Sequence, residues 1–162
     1  MIVEVHVLFS KNNKIGSKII AKGTKHLESN MPETSHTALL VNNRWVHEST
    51  GASGVRIISY DLWKTHQQEV CRIKLEDREY QIIADQYRQI KNKKYDYPGV
   101  VYLGLMIIPT FLGFKLPKKN KWESKDKYFC CEALGKLTNT YYGMSAPIQI
   151  MGNLLNGKDN KN

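Results

Sequence analysis

The chain has 162 residues, 41% of them hydrophobic, which is enough for one well-buried core and too little for two ordinary domains. Charged residues make up 24%, an ordinary globular share that argues against wholesale disorder. Lys plus Arg outnumber Asp plus Glu by 24 to 15, and the net charge of +9 favours anionic partners: nucleic acid, anionic lipid or acidic cell-wall polymer.

Residues 1–9 read as a first strand. Glu4 and His6 interrupt the apolar run and no basic segment precedes it, so a signal peptide is not expected and the expected location is cytoplasmic. Ser17 to Leu27 sets Ile19, Ile20 and Leu27 among lysines and reads as a weak helix or a surface loop. Ser35 to Ser49 reads as a hairpin, Thr37–Val41 and Arg44–Glu48, joined through Asn42-Asn43, because Asn tolerates positive φ. Gly51 and Gly54 mark a turn, Val55–Ile58 a strand, and Val70–Leu75 alternates as a half-buried strand. Glu76 to Ile90 is the clearest helix: Tyr80, Ile83, Tyr87 and Ile90 share a face, with Glu76, Asp77 and Glu79 expected in its first turn.

Tyr97 to Phe114 carries no charge and is roughly 18 residues long, the lower edge for a membrane span. Pro98, Pro109 and three glycines punctuate it, so two short buried helices broken near Pro109 are expected. The alternative is a greasy lid or a surface in peripheral membrane contact. Lys115 to Lys127 reads as an exposed loop, Tyr128 to Leu137 returns to helical spacing, and Pro147 to Leu155 suggests a last helix. The order of strands before helices predicts one α+β domain over residues 1–155, with 156–162 a disordered polar tail.

Three cysteines, two of them adjacent and none in a Cys-x-x-Cys pair, argue against a disulfide scaffold and a four-cysteine zinc site. Phosphate loops fail too: near Gly152 and Gly157-Lys158, Asp159 stands where Ser or Thr is needed. Cys130 is more informative, because it falls at the first turn of a helix, where the dipole and free N–H groups favour a thiolate. Cys131 lies ~100° around that helix and is not expected to reach the same cleft. Cys71 reads as a structural thiol.

A nucleophilic cysteine needs a base. His6 and His47 sit mid-strand as structural histidines, and His26 and His66 lie in polar, exposed stretches. His36 opens a strand, where a side chain can project into a cleft. A three-residue hairpin loop at 41–43 places Glu48 opposite His36; a two-residue Asn42-Asn43 turn places Ser49 there instead and turns Glu48 away. The residues alone do not decide the register, and a solvated strand residue is the plainer reading of Glu48; the first register is expected only with the family resemblance that follows.

The strings Ser35–Val41, Val46–Thr50 and Gly54–Ile57, with Tyr95-Asp96, Phe129–Leu134, Tyr142-Gly143 and Pro147, resemble the circularly permuted papain-like hydrolases. These form the YiiX/YaeF branch of the NlpC superfamily, with poxviral relatives. The resemblance spans roughly residues 1–150 through short motifs. It implies a permuted papain-like fold: an antiparallel sheet against helices, with the nucleophile helix in the C-terminal half. It also implies Cys130 as nucleophile, His36 as base, Glu48 as orienting residue and Tyr95 near the oxyanion. Cys131 departs from the Ser usual after the nucleophile. The implied activity is hydrolysis of an amide or ester through an acyl-enzyme, on peptidoglycan or lipid-linked substrate, with no metal or organic cofactor. Lipid acyl hydrolysis or acyl transfer is the alternative on the same triad. A basic binding protein is the third reading: the 115–127 lysines with Arg88, Lys91, Lys93 and Lys94 holding phosphates, and Trp63 or Trp122 stacking on bases.

Overall fold

The computed structural model describes residues 1–157 apart from Glu123, Tyr141 and Gly143. Gly143 of the resemblance, Lys158-Asp159 of the rejected phosphate loop and most of the expected tail therefore lie outside the described residues.

The chain opens with β1 (Ile2–Val3) and β2 (Val5–Lys11), then α1 (Ile15–Thr24), which runs into a 3-10 turn at Lys25–Glu28. The hairpin β3 (His36–Val41) and β4 (Trp45–Thr50) follows, then β5 (Gly54–Ser59), α2 (Tyr60–His66) and β6 (Gln68–Lys74). Next come β7 (Arg78–Glu79), α3 (Tyr80–Ile90) and α4 (Tyr97–Ile107), which continues as a 3-10 helix over Ile108–Leu112. The last two helices are α5 (Cys130–Thr138) and α6 (Pro147–Leu155).

The fold is α+β. Five strands form an antiparallel sheet in the order β5-β4-β3-β2-β6, and β1 pairs with β7 beside it. Alternate side chains leave opposite faces of a strand. Val5, Val7, Phe9, Leu39 and Val41 pack on α3 to α6, where Ile83, Leu134 and Ile148 meet them. Leu8, Ala38, Leu40 and Val46 leave the other face and close over Trp63 of α2. Each buried Val, Leu, Ile or Phe among them contributes about 1.5–3 kcal/mol over its exposed state.

Several expectations need correction. The hairpin loop has three residues but spans 42–44, so Leu39 pairs with His47 and Val41 with Trp45. Asn42 and Asn43 both take positive φ, near 50° and 53°. The shift is two residues, an even number, so Glu48 keeps the face of His36 without standing directly opposite it. The helix expected from Glu76 begins at Tyr80, because Arg78-Glu79 pair instead with Ile2-Val3. Nothing in the periodicity announced α2; Ser59 caps it by accepting from the Leu62 N–H at 3.3 Å. Residues 97–114 do form two helices joined at Pro109, but the second is not buried: Ile108, Phe111, Leu112 and Phe114 all face outward. Among the described residues, no helix is long and apolar enough to cross a membrane.

Candidate active site

The expected site residues come together where β3 and β4 part. Their pairing covers Leu39–Val41 and Trp45–His47 and stops before the β3 start. The N-terminus of α5 enters that opening. The Thr37 backbone N–H donates to the Cys130 sulfur, and the Ser49 hydroxyl donates to the Tyr128 carbonyl one residue before the helix cap. The cap is fixed in turn by the Phe129 N–H, which donates to Glu132 at 3.1 Å. Cys130 is thus the first residue of α5, buried, and aimed at the end of β3 that His36 opens.

The carboxylate sits on the opposite side of the imidazole. His36 Nε2 lies 2.8 Å from Glu48 Oε2, which leaves Nδ1 as the ring atom for the Cys130 hydrogen bond. Glu48 is itself held from two further directions. The Trp63 indole N–H donates to Oε2 at 3.1 Å, and Arg56 donates through Nε and a terminal nitrogen to Oε1 at 2.9 and 2.6 Å. Burial alone would raise the Glu48 carboxyl, but these His36 and Arg56 partners outweigh it and hold the group at about 2.

The same balance runs down the chain of contacts. Burial disfavours the His36 imidazolium, yet the hydrogen bonds of Cys130 and Glu48 raise it to about 10. The Cys130 thiol is pushed down, first by the hydrogen bond from Cys131, against burial, and then by the bond and charge of His36. Both shifts favour one state, a thiolate beside an imidazolium.

Cys131 occupies a place the helical spacing did not foresee. Its sulfur is 3.9 Å from that of Cys130, and both thiols border the same cavity. The helix angle separates the two Cβ directions, but at the first turn the rotamers can converge. Burial holds the Cys131 thiol well above its usual range, so it stays protonated and acts as donor. Cys131→Ala is therefore expected to slow alkylation of Cys130 at pH 6 by about tenfold, the worth of one hydrogen bond to a charged group. Cys131→Ser, which keeps a donor, should restore most of that rate. An unchanged rate in the alanine variant removes Cys131 from this role.

Tyr95 reaches the same cavity. The parallel bridge between Lys94 and Lys127 and the Tyr128 N–H bond to the Lys94 carbonyl, 3.0 Å, lay it beside the approach to α5. Burial and the Cys130 charge push its phenol up, so it remains a donor.

The cavity measures about 310 Å³, within the ordinary range for ligand pockets. Its lining includes Ile19, Ile20 and Gly23 of α1 and Leu103, Gly104 and Ile107 of α4, together with Cys130, Cys131 and Tyr95. The lining is almost wholly apolar. Among the described residues, no cluster of three or more His, Cys, Asp or Glu is placed to hold a metal.

The other histidines fall mostly where expected. His6 and His47 are buried mid-strand, and burial lowers His47 to about 4, which keeps it neutral. His26 departs from its exposed assignment: it stacks on Phe111 at 3.7 Å and bonds the Thr110 hydroxyl at 2.6 Å. Trp63, offered as a base-stacking residue, is fully buried under the sheet and unavailable to nucleic acid. The site residues missed by sequence reasoning are Trp63 in its true role, Arg56, Cys131 and the Thr37 amide. Only Arg56 carried a signal, as part of the Gly54–Ile57 string. No family model, curated protein or solved structure matches the chain.

Proposed function

We propose that the protein is a cysteine hydrolase or acyltransferase of the permuted papain-like type, acting on a carbonyl that carries an apolar chain. One observation carries the reading: the linked groups Arg56–Glu48–His36–Cys130, the last three of them buried, end at a residue that lines an apolar cavity. The Cys130 thiolate attacks the carbonyl carbon and the carbonyl oxygen takes the charge. The Cys130 backbone N–H, at the helix start, and the hydroxyl of Tyr95, which lines the same cavity, are the donors proposed for that oxygen. His36 gives its proton to the leaving amine or alkoxide, leaving a thioester on Cys130. Water, deprotonated by His36, then releases the acid; a second alcohol or amine in its place makes the reaction an acyl transfer.

The apolar lining favours a long-chain acyl ester or amide over a polar cell-wall peptide as substrate. Gly104 supplies the test. It borders the cavity, and a side chain there meets no atom within 4 Å of its first carbon. Gly104→Leu fills the space from within a helix, where leucine is also favoured over glycine by about 1 kcal/mol. The variant should hydrolyse long-chain p-nitrophenyl esters at least tenfold more slowly than wild type, while short-chain esters change little. Equal rates at all chain lengths in both proteins would remove the apolar-chain substrate. Absence of thiol-dependent turnover on any acyl ester or amide would remove the enzyme.

A further inference from the structure

Six large apolar side chains stand in solvent around the cavity mouth. Ile15 and Ile19 lie one turn apart on α1; Ile108, Phe111, Leu112 and Phe114 lie on and just beyond the 3-10 helix that follows α4. Their exposure runs from 62% for Phe111 to 79% for Leu112. Three of them, Ile19, Ile108 and Phe111, border the cavity, and the His26–Phe111 stack locks the two segments together. Single exposed apolar residues are ordinary, but a contiguous group around a pocket marks an interaction surface.

Within the two segments that carry this patch the charges are all of one sign, although Glu33, from outside them, stands close to Lys18 and Lys22. Residues 5–27 contain no Asp or Glu and include Lys14, Lys18 and Lys22. Residues 97–122 contain none either and include Lys115, Lys118 and Lys119. These six lysines are exposed, and none of them takes part in an ion pair among the described residues. Apolar side chains at the centre with cations at the edge are the two terms of interfacial membrane binding. The apolar groups enter the acyl boundary and the lysines meet anionic headgroups.

We propose that this face docks on an anionic lipid bilayer and opens the cavity toward the lipid phase. A second copy of the chain fits poorly, since two such faces bring like charges together in a protein already at +9. Nucleic acid would satisfy the lysines and leave the apolar centre unused. Docking itself does not depend on the chemistry at Cys130; only the further step, entry of a lipid acyl chain to that thiol, rests on the proposed enzymatic reading.

The test is vesicle co-sedimentation, run with wild type and with Cys130→Ala so that binding is read apart from turnover. The vesicles are phosphatidylcholine alone and phosphatidylcholine mixed with phosphatidylserine. Both proteins should bind the mixed vesicles alike, at least ~10-fold more tightly than the neutral ones, and more weakly as salt rises. Leu112→Ser with Phe114→Ser should weaken binding by roughly tenfold or more, with an unchanged melting temperature because both side chains are exposed. Lys118→Glu with Lys119→Glu, a change that leaves the apolar group intact, should lower binding to the mixed vesicles alone. The proposal is overturned by no binding to the mixed vesicles, or by binding indifferent to the serine pair. It is also overturned by salt-sensitive oligonucleotide binding without vesicle binding, or by self-association that the serine pair abolishes.

Discussion

Alkylation of Cys130 by iodoacetamide is expected to change less than about threefold between pH 6 and pH 8. An ordinary thiol, titrating near 8.5, would change by close to 100-fold over the same range. The difference comes from the site. His36 is raised to about 10 and the Cys130 thiol is pushed down, and both shifts favour the ion pair at neutral pH. Turnover should follow a bell whose alkaline limb lies near pH 10, where His36 loses the proton that it gives to the leaving group. Its acid limb falls where the Cys130 thiolate takes a proton. Cys130→Ala should lower turnover by at least ~10⁴-fold while the protein remains folded, because Cys131, the other thiol on the cavity, is held protonated by burial. Cys71, half-buried in β6, supplies the internal control and should show the ordinary steep slope. A steep slope at Cys130 as well would mean that the pair rests neutral. Turnover that survives Cys130→Ala would move the chemistry elsewhere.

The parts of this site that a local reading reaches are those fixed by local rules. Asn42-Asn43 announced a turn, Pro147 a helix start, and Phe129–Leu137 a helix with a thiol at its first position. What failed depended on partners distant in sequence. Glu76 to Glu79 has the charge pattern of a helix start, but pairing with Ile2-Val3 wins two of those residues for a strand. The hairpin register slipped by two because apolar alternation constrains parity and not position. Trp63 lies in a short helix without an apolar stripe, so nothing local says that its indole will close over Glu48. The charge-free run at 97–114 reads as core, because apolar runs of that length usually are. Most of it instead lines a cavity or faces outward, and composition does not distinguish a wall from a core.

Glu48→Gln is expected to slow turnover by ~10²–10⁴-fold and to restore a steep pH dependence to Cys130 alkylation. The geometry explains why an amide of the same shape fails. Both carboxylate oxygens accept only: Oε1 from Arg56, and Oε2 from His36 and Trp63. Glutamine offers one acceptor and one donor group. If its oxygen faces Arg56, its NH₂ meets the Trp63 N–H and the His36 Nε2 position. His36 can then accept only by moving its proton to Nδ1, the atom that must take the proton of Cys130. If the oxygen faces His36, the buried NH₂ confronts the Arg56 guanidinium with no acceptor, and a half-exposed cation loses its partner. In either case a donor is left unsatisfied at about 1–3 kcal/mol, so the melting temperature should fall while the fold survives. Arg56→Ala makes the complementary change: it keeps the carboxylate on His36, so it should cost less activity than Glu48→Gln. The acid limit of stability tests the same residue from the other side. Glu48 sits at about 2 in the fold against an ordinary 4.5, so the unfolded chain takes up this proton more readily. The contribution of Glu48 to stability is whole above pH 4.5 and drains as the pH falls through about 2. That portion of the acid unfolding curve should disappear in Glu48→Gln. Full activity in that variant, with a flat alkylation profile at Cys130, would show that His36 is positioned without its carboxylate and would reduce Glu48 to a buried structural ion.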